Sequence, residues 1–213
     1  MSEQPVVEQI PQPEPSPWNL PNALTVLRIL LVPVFVWFLL QDGGEDATSR
    51  WWALGIFTIA IVTDRIDGDL ARSRGIVTTF GKVADPIADK ALTGAGFIAL
   101  SIIDVVPWWI TVLVLARELG ITLMRFFVIR HGVMPASRGG KVKTFLQAQA
   151  LMILMAPLWT LPLARLWEVL GWIVLAAAVI VTIATAVDYV LKAMTLRETS
   201  DRAEMKRARK AQD

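Results

Sequence analysis

Six long apolar runs constrain the fold of this chain more than any other feature of its sequence. They cover residues 23–40, 51–71, 86–106, 107–129, 145–164 and 168–192. A bilayer core about 30 Å thick needs roughly 20 helical residues to cross it. The runs are continuous, whereas the strands of a membrane barrel would alternate apolar and polar residues. We therefore predict an all-α, polytopic membrane protein with six transmembrane helices.

Composition agrees with this class and excludes several kinds of site. Apolar residues make up 54% of the chain, and the mean hydropathy of +0.52 is too high for an ordinary soluble domain. Cysteine is absent and His131 is the single histidine, which excludes disulfides, thiolate sites and histidine metal cages. The formal charge of +2 gives no argument for a nucleic-acid partner. Carboxylates, hydroxyls, basic groups or a bound cation must carry any chemistry.

Basic and aromatic residues predict one orientation. Most of the 21 Lys and Arg residues follow the second, fourth and sixth runs, and short cytoplasmic segments retain such residues. Tryptophans cluster at the opposite ends of the runs, as in an interfacial belt: Trp37, Trp51, Trp52, Trp108, Trp109, Trp159 and Trp167. We therefore expect a multi-pass protein of the cell (plasma) membrane with both termini in the cytoplasm.

The two ends of the chain differ from the apolar middle. Residues 1–16 are rich in Pro, Glu and Gln, which predicts a flexible cytoplasmic tail. Residues 196–213 alternate acidic and basic groups, which predicts a charged cytoplasmic tail. No internal repeat is visible, so residues 17–195 are expected to form one membrane domain.

Four aspartates at the end of the second run and the start of the third form the most informative pattern: Asp64, Asp67, Asp85 and Asp89. Helical spacing places the members of each pair on one face, and a short connection would bring the pairs together. Anions this close require raised pKa values or bound cations, and cations are the better explanation. Oxygen ligands without His or Cys favour Mg²⁺, Mn²⁺ or Ca²⁺. Since Mg²⁺ commonly works alongside substrate phosphates, the pattern indicates phosphoryl transfer.

Neighbouring residues support a ligand site. Gly68 and Ala71 leave the acidic helix face shallow enough for a ligand to approach the backbone, and Arg72 offers a fork for phosphate oxygens. The alternative is that the aspartates are ordinary water-exposed residues of a cytoplasmic loop and of the ends of two helices. Asp69 faces away from the others and is interpreted as a solvated partner of Arg65 or Arg72.

The same stretch resembles the CDP-alcohol phosphatidyltransferases, whose signature reads DxxDGxxAR, eight residues, then GxxxDxxxD. The matching positions are Asp64, Asp67, Gly68, Ala71, Arg72, Gly81, Asp85 and Asp89. The resemblance implies a six-span homodimeric enzyme with a cytoplasm-facing site. It also implies transfer of a phosphatidyl group from CDP-diacylglycerol to an alcohol, release of CMP, and two divalent cations, Mg²⁺ or Mn²⁺.

Site roles follow from that resemblance, position by position. The metal ligands would be Asp64, Asp67, Asp85 and Asp89, and Asp89 would also accept the proton of the attacking hydroxyl. The cytidine diphosphate portion of the donor would lie against Asp67, Gly68, Ala71, Arg72 and Gly81.

Looser motifs are similar to the branch of the family that uses glycerol 3-phosphate as acceptor. They are the segment 19–25 before Arg28, the pair Arg117 and Glu118, and the loop 137–144. A basic loop with flexible glycines suits an acceptor that carries a phosphate. The predicted phosphate ligands are Arg117, Ser137, Lys141 and Lys143. Alternatively, Arg117 is a structural partner of Glu118 or an aspartate, and the two lysines only follow the positive-inside rule.

Other functions stay open at this point. The same chemistry could use inositol phosphate, phosphatidylglycerol or serine as acceptor. A cation or proton transporter could line its pathway with the same acids, but these lie near helix ends and no repeated halves are visible. A purely structural membrane protein would have little reason to keep so many acids facing one another.

Overall fold

The computed structural model describes residues 19–74, 78–128 and 138–199. Within these ranges the chain forms six α-helices and no strand, which confirms the all-α prediction. The helices are α1 Leu20–Leu39, α2 Ala47–Arg74, α3 Thr79–Ile102, α4 Trp108–Val128, α5 Arg138–Met155 and α6 Ala164–Thr199. They follow the order of the six apolar runs. The predicted tails lie outside the described residues, except that 196–199 continue α6.

Two of these helices are long and apolar enough to cross a membrane, within the described part of the chain: Leu20–Leu39 and Ala164–Lys192. Only 28% of each apolar window is buried, so most of this apolar surface faces outward. The other four have a suitable length, but charged side chains such as Arg50, Asp89, Arg117 and Lys143 interrupt them. The protein is therefore membrane-associated, and the six-span topology stays a prediction.

Side-chain caps define where the first two helices begin. The Asn19 side chain accepts a hydrogen bond from the backbone amide of Asn22 at 3.0 Å. Asp46 accepts from the backbone amides of Thr48 and Ser49 at 3.2 and 3.0 Å. The hydrogen bonds from Ser49 lower the pKa of the Asp46 carboxyl. Such caps satisfy amides that have no partner inside the helix.

The apolar core is formed by side chains from all six helices. Phe35 of α1 and Phe57 of α2 are fully buried and meet edge to face, with ring centroids 5.4 Å apart. Phe97 and Leu151 are buried in the same cluster. Buried polar side chains from α1 lie closer to the N-terminal end of that helix, and this leaves one end of the bundle polar.

Arg50, near the start of α2, secures the far end of α5. Its Nε and Nη2 donate to the backbone carbonyls of Met155 and Leu154 at 3.0 and 2.8 Å. The Trp159 ring covers the guanidinium at 5.0 Å. Because carbonyls in the last turn of a helix have no partner within it, Arg50 supplies the donors that the end of α5 lacks.

Replacing Arg50 with methionine should therefore destabilise the fold. Two carbonyls would lose their donors at a cost of about 1–3 kcal/mol each, which corresponds to a fall of about 5 °C or more in the midpoint of thermal unfolding. The measurement is thermal unfolding of the full chain in detergent. Arg165→Met, at an exposed position near the start of α6, is the matched control. Equal midpoints for the two variants would contradict this role.

Candidate active site

The candidate site lies where α2 ends, α3 begins and the polar end of α1 packs against both. Three signature aspartates, Asp64, Asp85 and Asp89, have described side chains. The side-chain placement of Asp67 and Arg72, and the surroundings of Gly68 and Ala71, lie outside the described part. Ser137 lies outside it as well.

Arg28 of α1 lies directly against Asp64 of α2. Its Nη1 is 2.6 Å from Asp64 Oδ1. The Arg28 side chain is 1% exposed, whereas that of Asp64 is 43% exposed. A buried guanidinium needs an anion, and this ion pair supplies one while orienting the carboxylate. Asp64 is thus held by a buried side chain, while its own carboxylate remains accessible to a ligand.

Thr25, one helical turn before Arg28, holds the second aspartate. Its hydroxyl donates to Asp85 Oδ1 at 2.6 Å, and the hydroxyl is completely buried while Asp85 is exposed. Asp64 and Asp85 are therefore held in the same way. Each carboxylate is oriented by a buried polar side chain of α1, an arrangement typical of the outer partners of metal ligands.

The start of α3 is tied to α1 by a third contact. Thr78 donates to Asn22 Oδ1 at 3.0 Å, and its hydroxyl oxygen accepts from the Gly81 backbone amide at 3.0 Å. A Cβ on Gly81 would lie 3.0 Å from Asn22 Oδ1 and 3.3 Å from Thr78 Oγ1. The signature glycine therefore permits close approach of α1 to α3, which is a packing role in addition to any contact with the donor.

A basic cluster from α4, α5 and α6 forms the other side of the site. Glu118 Oε1 contacts both Arg117 Nη1, at 3.1 Å, and Lys143 Nζ. Arg117 Nη2 donates to Thr185 Oγ1 at 2.8 Å, and the Arg117 guanidinium lies 5.8 Å from the centre of the Tyr189 ring. Both basic side chains are more than nine-tenths buried. One carboxylate therefore holds two cations near each other in a largely buried position.

Asp89 joins the two sides. It interacts electrostatically with Asp64 and Arg28 of the acidic side, and with Lys143 and Glu118 of the basic cluster. Asp64 and Asp89, predicted for the donor, and Lys143, predicted for the acceptor phosphate, thus lie within electrostatic range of one another.

The donor set fits a hard divalent cation. Asp64, Asp85 and Asp89 offer carboxylate oxygens, which are the ligands that Mg²⁺ and Mn²⁺ prefer. Among the residues whose side chains are described, no three acidic or histidine side chains are grouped closely enough to hold an ion by themselves. The predicted set also includes Asp67, whose side chain lies outside the described part. The chemistry of the residues therefore agrees with the predicted metal site, and its geometry stays a prediction.

The basic residues predicted for the acceptor differ in placement. Arg117 and Lys143 come together, and Arg117 pairs with Glu118, as its structural alternative predicted. Lys141 is exposed on α5 and forms no hydrogen bond or ion pair with a described residue. Its contact with the acceptor stays a prediction.

Sequence reasoning singled out the segment 19–25 before Arg28 as a motif but missed the positioning roles of its residues. Asn22, Thr25 and Arg28 occupy every third position of an apolar helix, so they share one face, and this spacing was a usable signal. Thr78, Thr185 and Tyr189 gave no comparable signal, because their roles depend on contacts between helices that are distant in sequence.

Comparisons with known proteins agree with the family resemblance of the sequence. The family model for CDP-alcohol phosphatidyltransferase matches residues 18–184. A Mycobacterium tuberculosis protein named probable phosphatidylglycerophosphate synthase is 50% identical over 176 residues, covering 83% of this chain and 82% of the relative. A Bacillus subtilis protein named CDP-diacylglycerol–glycerol-3-phosphate 3-phosphatidyltransferase is 34% identical, covering 86% of this chain and 100% of the relative.

A third relative is named for a different product. The Streptomyces coelicolor cardiolipin synthase (CMP-forming) is 32% identical over 163 residues, covering 76% of this chain and 71% of the relative. The matched region contains the whole aspartate signature and the buried polar face of α1. The chain therefore belongs to the CDP-alcohol phosphatidyltransferase family.

Proposed function

We propose that the protein transfers the phosphatidyl group of CDP-diacylglycerol to glycerol 3-phosphate, which gives phosphatidylglycerophosphate and CMP. The observation that carries this proposal is the pair of preordered sets of side chains: Asp64 and Asp85 are held by α1, and Arg117 and Lys143 are held by Glu118. Asp89 lies within electrostatic range of both sets. A donor that carries a diphosphate needs carboxylates that can hold cations, and an acceptor that carries a phosphate needs basic side chains. The reaction requires these two sets of side chains next to each other. The names of the relatives at 50% and 34% identity support the acceptor.

The acidic side would bind the donor. Asp64, Asp67, Asp85 and Asp89 would hold two divalent cations, Mg²⁺ or Mn²⁺, which when bound neutralise the diphosphate and polarise the phosphorus. Arg28 and Thr25 keep Asp64 and Asp85 in place for this task. The cytidine diphosphate portion would lie against Asp67, Gly68, Ala71, Arg72 and Gly81.

The basic side would bind the acceptor. Arg117 and Lys143, with Ser137 and with Lys141 of α5, would bind the phosphate of glycerol 3-phosphate. Glu118 positions Arg117 and Lys143 in advance, so fewer side chains must be ordered on binding. Asp89 would accept the proton from the acceptor hydroxyl as it attacks the phosphorus and CMP leaves.

The surroundings of the site suit a lipid substrate. The six helices would each span the membrane, with both termini and the site on the cytoplasmic side. The diacyl chains would then enter from the lipid, and the polar acceptor would arrive from water. Homodimer formation follows from the family resemblance.

A second acceptor has one observation in its favour. The Streptomyces coelicolor relative is named a cardiolipin synthase, and cardiolipin synthesis by the same chemistry would use phosphatidylglycerol as the acceptor. The buried Arg117 and Lys143 favour a phosphate monoester, which has the greater negative charge. Inositol phosphate satisfies the same requirement and is the other acceptor to be compared.

CMP release by the purified full-length chain tests the proposed function. With CDP-diacylglycerol and Mg²⁺ or Mn²⁺, we expect rapid release with glycerol 3-phosphate and little with inositol phosphate, phosphatidylglycerol or serine. A chelator should abolish release. Faster release with another alcohol would contradict the proposed acceptor, and no release with any of the four would contradict the proposed reaction.

Asp89→Asn should remove the base while keeping the fold. We expect kcat to fall about 100-fold or more, because general-base catalysis contributes about 10²–10⁴-fold. Binding of CDP, measured by calorimetry, should change by only a few-fold. Asp188→Asn, at a surface ion pair of α6, is the matched control and should keep normal kcat. Near-normal turnover of Asp89→Asn would contradict the role of this residue.

Lys143→Gln should mainly weaken acceptor binding. We expect the KM for glycerol 3-phosphate to rise about 10-fold or more, because a charge-assisted hydrogen bond to phosphate contributes about 1.5–3 kcal/mol. The KM for CDP-diacylglycerol should stay nearly constant. Lys192→Gln removes an exposed lysine on α6 and serves as control. An unchanged KM for glycerol 3-phosphate in a folded Lys143→Gln variant would return Lys143 to a purely structural role.

A further inference from the structure

A polar cavity lies at the end of the bundle opposite to the aspartates. Its volume is about 410 Å³, and its wall includes Arg50, Asp104, Trp159, Glu168 and Trp172. Cavities of roughly 300–1,000 Å³ are typical of small-ligand sites. Arg50 precedes Asp64 by 14 residues on α2, so the helical rise alone separates the two sites by about 20 Å. The cavity is therefore no part of the proposed active site.

Arg50 supplies a positive group to this cavity. Its Nε and Nη2 already donate to carbonyls of α5, while Nη1 forms no hydrogen bond with a residue in the described part of the chain. Arg50 is 5% exposed and lines the cavity wall. The buried guanidinium can donate its remaining hydrogen bonds to a ligand anion.

Two carboxylates supply negative charge to the same wall. Asp104, in the turn between α3 and α4, and Glu168 of α6 line the cavity. Neither forms an ion pair with a residue that the structure describes. A simple anion would be repelled by these two groups, and a simple cation would be repelled by Arg50. A ligand with a phosphate at one end and an ammonium group at the other satisfies both charges.

An apolar groove continues from the cavity along α6. Its volume is about 480 Å³, and it is lined by Arg165 as well as by Val169, Ile173 and Ala176. It shares Glu168 and Trp172 with the polar cavity, so the two spaces adjoin. The groove begins near the first turns of Ala164–Lys192, one of the two helices able to span a membrane. Tryptophan side chains at this level are typical of the boundary between headgroups and acyl chains.

We propose that the two cavities together bind one phospholipid with a phosphoethanolamine headgroup. The phosphate lies against Arg50, the ammonium group donates to Asp104 and Glu168, and an acyl chain follows the groove along α6. A primary ammonium suits carboxylates because it carries N–H donors, which a quaternary ammonium lacks. The lipid thus links the turn after α3 with the start of α6 at the end of the bundle away from the aspartates.

Native mass spectrometry of the full-length protein in a non-ionic detergent tests this site. Phosphatidylethanolamine or phosphatidylcholine with identical acyl chains is added, and the retained lipid is counted. We expect one phosphatidylethanolamine retained per chain, and at least fivefold less phosphatidylcholine. The double variant Asp104→Asn, Glu168→Gln should lose at least fivefold of the phosphatidylethanolamine signal. It keeps Arg50 and both side-chain shapes, and Asn is compatible with the positive φ of 57° at residue 104.

Asp42→Asn is the matched control. Asp42 is exposed in the turn before α2, also has a positive φ of 49°, and does not line the cavity. Retention equal to that of the unmodified chain is expected for this variant. Equal retention of the two lipids would overturn the proposal, as would undiminished phosphatidylethanolamine binding by the double variant. Neither result depends on catalytic activity, so the proposed function is tested separately.

Discussion

The ion pair between Arg28 and Asp64 is the contact on which the arrangement of the site depends. Arg28 is almost completely buried, and burial of an unpaired charge is costly, with about 3–5 kcal/mol lost when one partner of a buried pair is removed. α1 must therefore lie against the C-terminal part of α2 at one particular height. At that height Thr25 reaches Asp85 and Asn22 reaches Thr78. One polar face of one helix thus sets the relative positions of α2 and α3.

This constraint explains how acidic residues on two helices can form a site. Asp64 and Asp85 each have a buried partner on α1, while their carboxylates remain partly or largely exposed. Asp89, one turn beyond Asp85, then lies within electrostatic range of both Asp64 and the cluster around Glu118. The proposed chemistry follows from this placement, because a base must lie within reach of the acceptor hydroxyl while the hydroxyl oxygen attacks the donor phosphorus. Glu118 has a comparable organising role for Arg117 and Lys143.

The sequence predicted much of this architecture. Continuous apolar runs gave six helices in the right order, because their length and periodicity are local properties. The aspartate signature identified Asp64, Asp85 and Asp89, because helical spacing relates residues close in sequence. The partners of these residues were not predictable in the same way. Arg28 with Asp64 and Arg117 with Thr185 are contacts between distant segments, which depend on how the helices pack.

Gly81 and Arg50 show the same limit. The signature suggested contact with the donor for Gly81, whereas the structure also shows a close approach by Asn22 and Thr78. From the sequence, Arg50 was known only to lie between two apolar runs. The carbonyls to which it donates belong to the end of α5, about 100 residues away in sequence. Charged residues within α2 to α5 also explain why hydropathy alone marks only α1 and α6 as spans among the described residues.

The most direct test of this account is the Mn²⁺ affinity of the Thr25→Val variant, measured by titration of the full-length protein in detergent. Valine keeps the shape of threonine and removes the hydroxyl that orients Asp85. We expect the Mn²⁺ dissociation constant of Thr25→Val to be about 10- to 100-fold higher than that of the unmodified protein, as for other outer partners of metal ligands. Thr58→Val, on α2 away from the aspartates, should bind normally. Unchanged Mn²⁺ affinity in a folded Thr25→Val variant would contradict the claim that α1 organises the aspartates.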